Sequence, residues 1–222
     1  SGNKKIFLKD VQIKSFLKII IISILTLSIY LLISNSDEFS LRSVFFNTIS
    51  ILTGTGYVSA KFDGWGSFPL TLFLVLMFIG GCAGSTTCGI KIFRVQILYL
   101  FILNQLKKII YPKGIFLIKY EQNSVDDKFI ASIISFIYFY FVIFFLLAAL
   151  LSLTGLDFIT SLSGAATSIS NVGPGLGPII GPNGDFSSLP DISKWILTIG
   201  MILGRLELFA ILVLFLPSFW RN

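Results

Sequence analysis

Histidine is absent from the 222 residues, cysteine and methionine occur only twice each, and charged residues make up 13% of the chain. An ordinary soluble domain carries about 25% charge. Without histidine the chain lacks the commonest acid–base group near neutral pH and a principal zinc ligand. Cys82 and Cys88 stand too far apart for a redox CxxC pair or a zinc knuckle, which leaves them as small apolar packing residues. The sequence contains no GxSxG elbow, no HExxH and no Walker A loop. Its one glycine-rich candidate, GPGLGP at 173–178, has prolines where a dinucleotide fingerprint needs a continuing helix. These absences argue against an enzyme and against a metal or covalent cofactor.

What the chain has is hydrophobicity: 55% apolar residues and a mean hydropathy of +0.89. A bilayer core needs about 20 apolar residues per helical span. Residues 129–153 and 195–216 qualify, and 16–33 does so with Lys14 and Lys18 able to snorkel. A further apolar run starts at Pro69, breaks at 80–89 and resumes at Ile90. The net charge of +6 is not a nucleic-acid footprint, because the basic residues flank the spans. Lys4, Lys5, Lys9, Lys14 and Lys18 precede the first span, and Lys91, Arg94, Lys107, Lys108, Lys113, Lys119 and Lys128 follow the second. Both groups belong in the cytoplasm by the positive-inside rule. The opposite connections carry Asp37, Glu38, Asp63, Asp157, Asp185 and Asp191 against Arg42, Lys61 and Lys194. With Ser1 in place of an initiator Met and no cleavable signal pattern, the expectation is an excised portion of something longer.

An internal repeat organises the chain. Residues 1–106 hold a span (16–33), a short helix (41–52), a glycine turn (53–57) and the broken span (69–106). Residues 129–222 hold a span (129–153), a short helix (158–169), a glycine turn (170–174) and a last span (195–216), with 107–128 a cytoplasmic linker. Gly173 follows Gly56 by 117 positions and Met201 follows Met77 by 124, so the extra residues fall in an external loop. The short helices, about 18 Å long, cannot cross a bilayer. With Ser40 and Asp157 as N-caps they run inward from the outer surface, and the negative ends of their dipoles favour a cation at mid-membrane.

After each short helix come small residues, Thr53-Gly54-Thr55-Gly56-Tyr57 and Ser170-Asn171-Val172-Gly173-Pro174-Gly175. Irregular backbone at membrane depth is tolerated only where it is buried or lines water. Facing water, aligned carbonyls can replace the hydration shell of a potassium ion. Re-entrant turns that use glycine for close helix packing are the alternative, and the duplication favours a pore. The predicted fold is all-α and integral to the membrane, two helix-pore loop-helix (M1-P-M2) pseudo-repeats of a potassium-channel-like kind.

The combination of TGTGY, MFIGGCAGSTTCGIK, SNVGPGLG and MILGRLELF resembles the Trk/Ktr/HKT superfamily of potassium transporters, in particular its TrkH type, in the third and fourth of four repeats. The resemblance implies a selectivity filter containing Thr53, Gly54, Thr55 and Gly56 from one repeat and Ser170, Asn171, Val172 and Gly173 from the next, with K+ at Thr55, Gly56, Val172 and Gly173. It implies an intramembrane gating loop of Gly80, Gly81, Cys82, Ala83, Gly84, Ser85, Thr86, Thr87, Cys88 and Gly89. Thr87 and Cys88 depart from the more glycine-rich loops of other members and suggest a stiffer one. Arg205 then lies near the gate as a positive barrier; an anchor bonded to loop carbonyls is the competing reading, and the two are compatible. Glu207, two residues on, is out of phase for a simple pair. The resemblance further implies potassium uptake at a bacterial inner membrane by a multi-pass homodimer, regulated by a cytosolic TrkA-type nucleotide-binding subunit. A sodium-selective transporter of the same fold is the nearer alternative, and a non-conducting membrane assembly subunit the more distant one.

Overall fold

Asp10 opens the first helix, α1 (Val11–Ile33), by accepting the backbone N–H groups of Gln12 at 2.7 Å and Ile13 at 3.3 Å. That cap starts the helix five residues before the apolar run does. The computed structural model describes residues 10–34, 40–114, 116–120, 123–205, 213 and 219–220. Lys4, Lys5, Lys9, Asp37, Glu38, Glu207 and most of the 206–216 part of the last expected span lie outside the described residues.

After α1 come α2 (Leu41–Leu52), a 3-10 turn (Phe62–Trp65), α3 (Ser67–Phe78) and α4 (Ile92–Ile110). A two-residue hairpin pairs β1 (Lys119–Tyr120) with β2 (Asn123–Ser124), and then follow α5 (Asp127–Leu153), α6 (Phe158–Ser170) and α7 (Asp191–Arg205). A long helix, a short helix and a glycine turn thus occur in that order twice among the described residues.

At 23 and 27 residues, α1 and α5 are long and apolar enough to cross a membrane. Each buries one stripe, Ile20, Ile24, Leu27 and Leu31 in α1 and Ile133, Phe136, Tyr140, Phe144, Leu147 and Leu151 in α5. The other faces are also apolar, with Ile21, Leu25, Ile29, Phe145 and Leu146 exposed. A helix apolar on every side suits lipid rather than water.

α6 is the hub. Ten of its thirteen residues are buried, and it packs on α5, α7 and α3. Small residues allow this: a Cβ at Gly164 would already touch Ile180, Leu197 and Leu151 at 3.3 to 3.6 Å. From α7, Gly200 and Gly204 present a GxxxG face to the end of α6, where a Cβ on Gly204 would run into the Ile169 carbonyl. Phe78, at the end of α3, joins the halves by packing edge-on against Phe144 at 4.9 Å and Tyr140 at 6.2 Å.

The two short helices begin differently. Asp157 caps α6 by accepting the Thr160 N–H at 3.1 Å, whereas the Ser40 side chain makes no capping bond to α2. Asp157→Ala should therefore lower stability by about 1 kcal/mol, while Asp157→Asn, which keeps the acceptor, stays close to the parent; thermal denaturation of the purified full-length protein reads the difference.

Candidate functional site

The chain leaves α2 and α6 through turns of matching shape. Gly54 and Gly56 take φ of 64° and 78°, and Asn171 and Gly173, each 117 positions on, take 51° and 118°. Carbonyls along an ordinary extended strand point alternately to its two sides. Placing every second residue in the left-handed region turns successive carbonyls toward one side, and only glycine and asparagine enter that region readily.

The amide hydrogens face the other way, into the short helices. Thr55 N–H donates to the Ser50 carbonyl at 2.9 Å, and Val172 N–H to the Thr167 carbonyl at 3.1 Å. Gly173 N–H donates to Thr167 Oγ1 at 2.9 Å, Leu176 N–H to Ser163 Oγ at 3.0 Å, and Ser59 N–H to Asn47 Oδ1 at 3.0 Å. Among the described residues, no donor reaches the carbonyl oxygens of Gly54, Thr55, Gly56, Asn171, Val172 or Gly173. The Thr53 and Thr55 hydroxyls bond each other at 2.7 Å, and Ser170 is fixed from behind by the Tyr140 hydroxyl at 2.7 Å.

The turns lie side by side. A Cβ on Gly173 would sit 3.5 Å from the Gly56 Cα, and one on Gly56 would collide with the Val172 carbonyl oxygen. Thr53, Gly54, Thr55, Gly56, Ser170, Asn171, Val172 and Gly173 thus form one cluster at the C-terminal ends of two helices. Those ends carry partial negative charge.

Beside this cluster, residues 79–91 interrupt the apolar run. The interruption is pinched at its neck by a parallel bridge between Ile79 and Ile90, with Gly80 N–H to the Ile90 carbonyl at 2.9 Å and Ile90 N–H to the Phe78 carbonyl at 2.8 Å. Inside it, Thr87 Oγ1 accepts the Gly81 N–H at 2.8 Å and shares a 2.6 Å bond with Ser85 Oγ. The Thr87 methyl would lie 3.8 Å from a Cβ on Gly54, so the loop reaches the first turn.

Among the described residues, side chains from α1 and α7 hold the loop. Gln12 Oε1 of α1 accepts the Ala83 N–H at 2.8 Å, and Arg205 Nη1 of α7 donates to the Thr86 carbonyl at 2.9 Å. Arg205 also approaches Cys88 Sγ at 3.7 Å. A cavity of about 220 Å³ lies against the loop, and Lys91, Arg94 and Arg205 are among its lining residues.

A family model described as TrkH, cation transport protein, matches residues 4–222. The chain belongs to the TrkH family. The Trk system potassium uptake protein TrkI of Halomonas elongata is 43% identical over 222 residues, all of this chain and 45% of that protein. The Trk system potassium uptake protein TrkH of Escherichia coli K12 is 30% identical over 98% of this chain and 45% of its own length. The crystal structure of the potassium transporter TrkH from Vibrio parahaemolyticus superposes with a TM-score of 0.88 at 32% identity, covering 97% of this chain and 46% of that one. This TrkH-family chain therefore spans under half the length of these relatives, and the family's activity is transport rather than catalysis.

Two features of the TrkH-family site escape a reading by motif. Gln12 and Asp63 act on backbone far away in sequence, which no local pattern signals. The Gly200–Gly204 pair was visible as GxxxG in an apolar helix. The crowding at the two turns makes a graded prediction. Gly56→Ala should destabilise more than Gly54→Ala by about 1–3 kcal/mol, since both incur left-handed strain but only at Gly56 does the added Cβ clash with backbone. Thermal denaturation of the two variants in the full-length protein gives the order.

Proposed function

We propose that this chain supplies two strands of a carbonyl-lined filter for potassium uptake across a membrane, with loop 80–89 as its gate. The observation that carries the reading is the pair of adjacent glycine turns whose N–H groups are used by the short helices and whose carbonyls accept no bond from any described residue. Unpaired carbonyls cost several kcal/mol each in a dry apolar setting, but beside a water-filled path they act as cation ligands. The ligands proposed for K+ are the carbonyls of Thr55, Gly56, Val172 and Gly173, with Thr53, Gly54, Ser170 and Asn171 extending the ladder.

On this reading each half is an M1-P-M2 unit, with α1 and α5 as first spans, α2 and α6 as pore helices, and α7 and the broken α3–α4 segment as second spans. The relatives' names as potassium uptake proteins support the choice of ion. The remaining strands of the ring come from outside this chain, and a serine at the equivalent glycine of one of them is what a sodium-preferring member of the fold would need. The residence proposed is a bacterial inner membrane, in a homodimer that binds a TrkA-type regulatory subunit at its basic cytoplasmic side.

Arg205 does two jobs in this scheme. It bonds the loop and sets a positive charge against a cavity beside it, where a cation leaving the filter meets repulsion.

Flux assays on the reconstituted full-length transporter test both parts. Gly173→Ser or Gly56→Ser should lower the K+ over Na+ preference about tenfold, or about 1.4 kcal/mol; unchanged preference sinks the filter reading. Arg205→Ala should raise basal K+ flux threefold or more, and a reduced flux from normally folded protein contradicts a gate role.

A further inference from the structure

Asp63 stands in the 3-10 turn Phe62–Trp65, on the loop between the first glycine turn and α3. Two buried rings fix that turn: Phe62 packs on Phe73 at 4.9 Å and Trp65 on Phe73 at 6.1 Å. The carboxylate is thereby carried across to the other half of the molecule. Its Oδ1 accepts the Gly177 N–H at 3.2 Å, four residues past Gly173.

The seat is closely fitted. A Cβ on Gly181 would lie 2.5 Å from Oδ2 and 2.9 Å from Oδ1, so the carboxylate rests against a face that only glycine leaves open. Gly177 itself has φ 88°. The segment folds back on itself around this point, with Gly175 N–H to the Ile180 carbonyl at 2.8 Å and Gly181 N–H to the Gly177 carbonyl at 3.0 Å. From the opposite side Ser163 of α6 holds Leu176 through both its N–H and its carbonyl. The stretch that leaves the second glycine turn is therefore gripped by its own pore helix and by an acid from the other half.

An acid is an unusual tenant there. Burial raises its carboxyl above the ordinary carboxylate range, against the lowering effect of the Gly177 N–H. A hydrogen bond to a charged acceptor is about twice as strong as a neutral one, and this one offsets part of that cost. Hydrogen bonds that join the halves include Asp63 to Gly177, in the stretch after the second turn, and Arg205 to Thr86 and Cys88, at the loop. In each half the glycine turn precedes both of these bonded residues, and the two turns are in contact with each other.

We infer that Asp63 is a positioning residue for the second filter strand: by accepting the Gly177 N–H it fixes the turn beyond Gly173 and keeps the Val172 and Gly173 carbonyls in register with Gly56. The role needs an acceptor at one place, not a negative charge at the mouth. Selectivity in a carbonyl ring depends on the number and placement of its dipoles. Loss of the bond lets the strand shift without unfolding the helices that carry it.

The inference rests on the filter reading above, and three substitutions in the reconstituted full-length transporter separate the two. Asp63→Asn keeps an oxygen at the same place and should hold the K+ over Na+ flux ratio within about twofold of the parent. Asp63→Glu keeps the charge but, one methylene longer, cannot seat between Gly177 and Gly181, and should lower the ratio about tenfold. The extra thermal stabilisation by K+ over Na+ should fall in step. A normal ratio in Asp63→Glu overturns the inference, as does an Asp63→Asn protein impaired as much as Asp63→Glu, which would assign the effect to charge. If Gly173→Ser collapses selectivity while Asp63→Glu does not, positioning by Asp63 alone fails; if neither variant changes it, the filter reading fails too.

Discussion

The arrangement depends on where the backbone amides of two short turns are spent. Every peptide carries a donor and an acceptor, and a buried polar group left unpaired is costly. In both turns the donors are taken up by the preceding helix, through Ser50 in one half and Thr167 in the other. The bond from Thr55 to Ser50 and the bond from Val172 to Thr167 occupy corresponding positions, 117 apart, as do those from Gly54 to Ile51 and from Asn171 to Ser168. Two sequences with few identical residues thus make the same main-chain bonds. What is duplicated is a way of tying down the donors on one side, and left-handed residues at matching places complete it.

The surroundings of the two turns are unequal, and the inequality has a packing cause. α6 is enclosed by α5, α7 and α3, so its small residues are buried almost throughout. α2 packs on α1 and α3 and leaves Phe45, Phe46 and Tyr57 exposed, the last at 72%. Large apolar side chains beside a polar ladder are a poor surface for water. On the filter proposed above, this face is where further strands would adjoin.

Much of this was readable from residues alone, for definite reasons. Helix length, acidic connections and paired glycines are local signals, and they outline α2, α6 and both turns. Local capping rules met with mixed success: Asp157 caps as its position suggests, Ser40 does not, and Asp10 extends α1 beyond its apolar run. The loop at 79–91 was marked by its glycines, but its brace was not, because Thr87 acts through a hydroxyl that reaches back six residues to Gly81. Asp63 was counted only as external charge, since its partner lies 114 residues away and nothing near it in sequence announces Gly177. Arg205 was legible as a charge in an apolar segment, but its partner Thr86, 119 residues away, was not.

The energetics of the loop follow from the size of its tethers. Outside its pinched neck it is held by Gln12 on one side and Arg205 on the other. A neutral hydrogen bond contributes about 1 kcal/mol net and one to a charged group about 1.5–3. Together they amount to a few kcal/mol, while reversing a two-state population from 1:99 to 99:1 takes about 5.5. Gln12 belongs to a short polar chain: its neighbours Val11 and Ser15 accept from Gln96 Nε2 at 3.2 and 2.6 Å, and Gln96 Oε1 accepts the Tyr120 hydroxyl at 2.7 Å. Tyr120 sits in the hairpin between the halves, on the side assigned to the cytoplasm. For the gate proposed here, a partner bearing on that hairpin would act on tethers weak enough to be outweighed by ordinary binding energy, without unfolding any helix.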